Sequence, residues 1–492
     1  MYLKQHFLSA FRVCLFDNLM YIDPAWIKPM KKLSILLIVL TSVSFCYSQE
    51  ITYQKTLDDA ISLSAKKKKP VFILLSPPPF QNVPAHASFD SGFDTKEVID
   101  FYNKNFTSYK ADVTDSAGAK IRNRFHITIY PAYIFLDTKG QIIYKGSGNA
   151  ALPAKYLDMA KQALARFASG KTISNYEELH LAGSMTADQL KDYITLKEEL
   201  ELFDNAPLID EYVNFLTIKS FEDYDQVLFI LKAGPYAYGK AYNLCRTNPK
   251  IVDSIYKKEP LALRSAINNH TILNTRNEAI KTKNIRMAQN NATFSSGTWG
   301  KNFREAGKAS TLEMIYYYKA IKDTASYYRQ ASFLYDTYYM NISADSAKKL
   351  QKQIVDNLRP TPSAKANIKS ITDTTGKGAG IKKITYSQMV AVSSSSDVAN
   401  VLNNAAYEFY SSGTRNTNYL YKALIWSKRA IDLRPTAGYY DTLAHLMYRL
   451  DFYDDAVLNQ KKAIDMASAG PQLSTEIIHL KSELDKMVAH QL

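Results

Sequence analysis

The chain has 492 residues, 46% of them hydrophobic and 22% charged, a balance that excludes a disordered or fibrous protein and allows two or three domains. Lys and Arg number 61 against 47 Asp and Glu, for a net charge of +14. The densest basic run, Lys66 to Lys69, closes a predicted helix, where cations complement the helix dipole. No basic stripe is interleaved with aromatics, so the charge reads as a solvated face and no nucleic-acid partner is expected.

The first element in chain order is an address. Met30 opens "MKKLSILLIVLTSVSFCYSQE", in which Lys31 and Lys32 form a charged head and residues 33–45 an apolar run. Cys46 and Ser48 supply the small residues that precede a cut after Ser48. The run is shorter than the about 20 residues of a membrane span. Phe45 is bulky and disfavours a lipid anchor on Cys46. The expectation is an upstream extension at 1–29, a signal peptide at 30–48, and a periplasmic or secreted mature chain with no transmembrane span. Removing residues 1–48 takes away five Lys/Arg and two Asp/Glu, which lowers the net charge to +11 and leaves Cys245 as the single cysteine. One cysteine cannot form an internal disulfide.

Strands and helices then alternate. "TLDDAISLSAKKKK" (56–69) begins with the capping pattern Thr56 to Asp59, and "VFILL" (71–75) is a buried strand. "DTKEVIDFYNKNF" (94–106) repeats the capping pattern with Asp94 and Glu97. A strand at 106–113 and a short helix at 116–125 follow. "AYIFLDTKGQIIYKG" (132–146) is a hairpin turning at Asp137 to Gly140. A helix at 152–167 opens with Pro153 in its first turn. This order implies a mixed central sheet flanked by helices.

The segments "KKPVFILL", "EVIDFYNKNFTSYKADV" and "FHITIYPAYIFLDTKGQIIYKGSG", with the closing helix, resemble a thioredoxin-like domain over about residues 51–168. The resemblance implies an α/β thioredoxin-like fold and a cis Tyr130–Pro131 bond facing the family's active site. Counting back from Phe93, the family's Cys-Gly-Pro-Cys falls on Asn82, Val83, Pro84 and Ala85, so only the proline matches. The family's preceding tryptophan falls on Gln81 and its buried acid on Leu74, and Pro77, Pro78 and Pro79 fill a longer loop. Thiol exchange needs an activated thiolate and a second thiol to resolve the mixed disulfide. Asn82 and Ala85 can supply neither. Nearby His86, Ser88 and Asp90 alternate along a predicted helical turn and do not converge on one face. No catalytic residue, metal ligand or cofactor is therefore assigned. What the resemblance leaves is a surface at Gln81, Tyr130 and Pro131, which in the family grips extended peptide.

Beyond residue 170 the strand signals stop. Helical spacing marks 185–216, with Thr186 as a cap, then 220–234, 248–272 and 312–341. The aromatic stripe of the last reads as core. A helical region is thus expected at 169–357. Residues 358–396, rich in Pro, Ser, Thr, Gly and Lys, read as a flexible linker. After it "NNAAYEFY" (403–410) is echoed by "DTLAHLMY" (441–448), and "AID" at 430–432 recurs at 463–465, a step of 33. These residues resemble tetratricopeptide repeats, placed at 397–492. The full order resembles secreted bacterial thioredoxin-family proteins with a helical extension, whose members differ in whether they keep the cysteines.

The expected function is redox-inactive binding or scaffolding of a protein or extended-peptide partner in the periplasm. The alternatives are redox work through Cys245, or an enzyme of another class with its site in the helical region.

Overall fold

The computed structural model describes residues 50–76, 91–358, 397–469 and 474–492. The expected extension and signal peptide, and with them Gln81 to Ala85, His86, Ser88, Asp90 and positions 359–396 of the expected linker, lie outside the described residues. The chain forms two compact units that divide after Glu201.

The first unit is a five-stranded mixed sheet with helices on both faces. Its strands are β1 (Tyr53–Gln54), β2 (Val71–Ser76), β3 (Thr107–Asp112), β4 (Ala132–Leu136) and β5 (Ile142–Ser147), in the spatial order β1-β3-β2-β4-β5. β3 is parallel to β1 and β2, while β4 is antiparallel to both β2 and β5. α1 (Leu57–Lys67) starts at Thr56, whose hydroxyl accepts from Asp59 N at 3.0 Å, as the sequence predicts.

α2 (Lys96–Asn105) starts later than the sequence predicts, and Asp94 does not cap it. Gly92–Asp94 form a 3₁₀ turn capped by Ser91, and Thr95 is the N-cap of α2 with no side-chain cap bond. The turn arises because Gly92 lies against another backbone: a Cβ there would come within 2.5 Å of the Leu152 carbonyl carbon.

α3 (Ser116–Arg124) is capped by Asp115, and α4 (Pro153–Ser169) begins on its proline. Strand alternation sends Phe72, Leu74, Tyr133 and Phe135 into one core with α2 and α4, where Phe72 packs edge-on to Tyr102 at 4.7 Å. Val71, Ile73 and Leu75 turn to the opposite face, which α1 and α3 cover. Two further helices, α5 (Ile173–Leu181) and α6 (Ala187–Glu199), belong to this unit. Tyr176 stacks on Tyr193, and Arg166 pairs with Glu199 at 2.6 Å. Thr186 and Gln189 make a complete capping box on α6.

The second unit is helical throughout its described residues. Its elements are α7 (Ala206–Tyr212), α8 (Tyr224–Lys232), α9 (Lys240–Cys245), α10 (Pro249–Lys258), α11 (Leu261–Thr282), α12 (Ile285–Gly297), α13 (Phe303–Ala320), α14 (Thr324–Tyr338) and α15 (Ala344–Leu358), then α16 (Val398–Ser411), α17 (Thr417–Leu433), α18 (Ala437–Arg449), α19 (Tyr453–Ala469) and α20 (Ser474–Val488), with short 3₁₀ turns after α7. Pro207 and Pro249 sit in first turns and Pro260 separates α10 from α11, so prolines punctuate this region. Buried Ile315, Tyr327, Tyr328 and Leu334 join Phe409, Trp426 and Leu446 in one core. Among the described residues, no helix is long and apolar enough to cross a membrane.

The last helix, α20, is held by Leu480, Met487 and a buried charge. Glu483 accepts from Lys486 Nζ at 2.7 Å and faces His445 Nε2 at 3.2 Å, while Asp441 lies beside the other ring nitrogen of His445 at 3.6 Å. Burial opposes the Glu483 charge, but the hydrogen bonds from Lys486 and His445 together outweigh it and hold the carboxyl below the usual glutamate range. The folded pKa is the lower one, so this contribution is complete above the unfolded value and is lost as pH falls through the folded value. Hydrogen exchange across residues 474–488 is expected to accelerate selectively below about pH 4. In Glu483→Gln it should be roughly tenfold faster at neutral pH and lack the acid step. An unchanged acid step in that variant would refute the assignment.

Candidate functional site

The sheet topology brings the end of β2 beside the start of β4. Leu75 pairs with Ala132, so Ser76 lies next to Pro131, and Ser76 also pairs with Asp112 at the end of β3. β2 ends at Ser76, and Gln81 to Ala85 follow it in sequence. Carboxyl ends of parallel strands are where open α/β sheets place their ligands.

The Tyr130–Pro131 bond is cis, as expected. Its surroundings are built from below. Gly148 N donates to Pro131 O at 2.8 Å, and Lys155 Nζ clamps the carbonyls of Ser147 and Gly148, each at 2.8 Å. Tyr133 donates to Asn149 Oδ1 at 3.1 Å, and the Tyr156 hydroxyl takes the Ala150 N–H and returns a bond to its carbonyl. Buried tyrosines satisfied in this way hold the strand ends in one position.

The approach to Pro131 is different. Tyr130 folds its hydroxyl back onto Ile127 O at 3.3 Å, and Ile129 is 53% exposed. Among the described residues, the backbone N–H and C=O groups of Thr128, Ile129 and Tyr130 have no hydrogen-bond partner. A small cavity of about 150 Å³ opens beside them, between Ile127, Ile129, Ala132 and Gly146. Unpaired donors and acceptors in a row are what an added extended strand requires. No nucleophile with a base in hydrogen-bond reach lies among the cavity residues, and no group of metal-ligating side chains occurs among the described residues. Of the residues assigned from sequence, Tyr130 and Pro131 lie on this surface. Gln81, Asn82, Val83, Pro84 and Ala85 lie outside the described residues. The unpaired backbone at 128–130 has no signature in residue type.

Cys245, at the end of α9, is fully buried, as Tyr242 and Leu244 lead one to expect. Burial pushes its thiol up to about 12, so it stays protonated and unreactive near neutral pH. Redox work through this residue has no support in its surroundings.

No protein-family model matches the chain, and no curated protein matches it.

Proposed function

We propose that the chain acts as an exported, redox-inactive thioredoxin-like protein whose helical unit ends in tetratricopeptide-like repeats, and that it binds partner protein segments in extended form. The observation that carries the reading is the backbone at Thr128 to Tyr130, unpaired among the described residues, in a chain whose sequence has Asn82 and Ala85 at the positions the family's two cysteines would take. A mixed sheet covered by helices on both faces suits the proposed fold family. The echoing segments fall on α16 to α19, which run as two successive helical hairpins, the arrangement a repeat reading requires. Export rests on the leader that begins at Met30.

The test uses residues 49–492 in two assays, disulfide reduction and binding of unstructured peptides. The natural chain should bind peptide and reduce nothing. A variant carrying Asn82→Cys and Ala85→Cys should gain turnover, because the proposed thioredoxin-like fold would then carry a thiol pair at the family's positions. Turnover by the natural chain that vanishes in Cys245→Ser would overturn the reading. So would a folded natural chain that binds no peptide.

A further inference from the structure

We propose that the helical unit carries a separate binding site for a monoanionic carboxylate attached to an aromatic or apolar group. The site is a cavity of about 390 Å³ bounded by α8 to α12. That volume lies in the range of about 300–1,000 Å³ typical of small-ligand pockets. Its apolar wall is Leu231, Val252 and Phe294, with the faces and edges of Tyr242 and Tyr256 beside them. Tyr242 meets Phe294 edge-on at 5.5 Å, and Tyr238 packs the same way on Tyr242, so the wall is held in one arrangement.

The polar groups decide what the cavity takes. No Asp or Glu lines it, and its single charge is Arg246. The Arg246 guanidinium is exposed, and its one hydrogen bond among the described residues is a long one, 3.5 Å, to the Tyr242 hydroxyl. Among the described residues no carboxylate pairs with it. A planar guanidinium left with free donors matches a carboxylate through two parallel hydrogen bonds.

Asn268 supplies a second donor. Its Oδ1 accepts from the Tyr256 hydroxyl at 2.6 Å, which orients the amide and leaves its NH₂ without a partner among the described residues. Burial raises both Tyr242 and Tyr256, the latter to about 12, so the phenols stay neutral and add no negative charge. One cation among neutral walls balances one negative charge. A dianion such as a phosphate monoester would be left half-compensated by the single cation. Two sources of this chemistry exist, a free aryl acid and the C-terminal residue of a peptide.

The test is calorimetric titration of residues 49–492 with N-acetyl-phenylalanine, its amide, 3-phenylpropionate and a short peptide ending in phenylalanine. The acids should bind, and the amide should bind at least tenfold more weakly. Arg246→Gln, at an exposed position, should lower acid affinity roughly ten- to hundredfold, because a charge-assisted bond is lost. Gly297 borders the cavity with open space at its Cβ position, so Gly297→Trp should abolish binding of every probe. Binding of the small acids without the peptide identifies a free acid as the ligand, and binding of both identifies a chain terminus. Equal affinity for acid and amide, an unchanged affinity in Arg246→Gln, or no binding of any acid at millimolar concentration would overturn the assignment. The site is independent of the Pro131 surface, so neither result bears on the other.

Discussion

Gly118→Ala is expected to destabilise the sheet-bearing unit by about 3 kcal/mol or more, the upper range for forced overpacking. Gly118 is in the first turn of α3, where the helix crosses the end of β3. A Cβ at that position would lie 1.7 Å from Asp112 O and 2.5 Å from its carbonyl carbon. Neither atom is the end of a flexible side chain. Asp112 is paired with Ser76 in the sheet, and Asp115 fastens the helix start by accepting from Gly118 N at 2.6 Å. The helix must therefore lift off the sheet, taking Ile121 out of the core. The measurement is hydrogen exchange of β2 and β3 in the whole chain, read separately from the helical unit because two units need not unfold together. Ala117→Gly is a useful contrast, since it adds no atom and acts chiefly through helix propensity, by about 1 kcal/mol. Protection of β2 and β3 unchanged in Gly118→Ala would show that the close approach is not needed.

Trp426→Ala should weaken the helical unit by about 3–5 kcal/mol, the range for removing a large buried aromatic side chain. Trp426 on α17 is fully buried, with its ring 5.0 Å from both Phe409 and Tyr335. Its Nε1–H donates to Asp336 Oδ1 at 2.8 Å. Trp426→Phe separates the two contributions. It retains most of the packing and loses the hydrogen bond to a carboxylate that is partly exposed and also paired with Lys422. A hydrogen bond to a carboxylate is worth about 1.5–3 kcal/mol. Denaturant unfolding followed by exchange in α14 and α17 gives the comparison. Equal losses in the two variants would mean that the polar contact, and not the packing, carries the effect.

Much of the local structure was legible in the sequence, because its causes are local. The caps at Thr56 and Thr186, the buried strand at 71–75, the hairpin turning at Asp137 and the helix starting at Pro153 each depend on residues within one turn of one another. Asp94 misled because its capping pattern was genuine, while the close approach of Gly92 to Leu152 that displaced it lies far away in sequence. The same reason hides the attachment of α5 and α6 to the first unit, which uses pairs such as Lys171 with Asp192. It also hides the site at Arg246, whose walls come from five separate helices and three residues outside them. Tyr242 and Tyr256 read equally well as core or as pocket lining until their neighbours are in place. Burial of Tyr317, Tyr327, Tyr328 and Tyr339 bears out part of the reading of the 312–341 stripe as core, while Tyr316 and Phe333 are exposed.

The core around Trp426 also joins the parts of the chain on either side of positions 359–396. α13 and α14 precede them and α16 and α17 follow them, yet these four helices share one set of buried side chains. Lys319 reaches Glu408, and Tyr327 donates to the same carboxylate at 2.5 Å, so polar contacts bridge the gap as well. The two flanks are thus joined by side chains as well as by peptide bonds. The side-chain joint does not need chain continuity to exist, so a polypeptide that ends after α14 and one that begins before α16 still present matching halves of the same buried surface to each other.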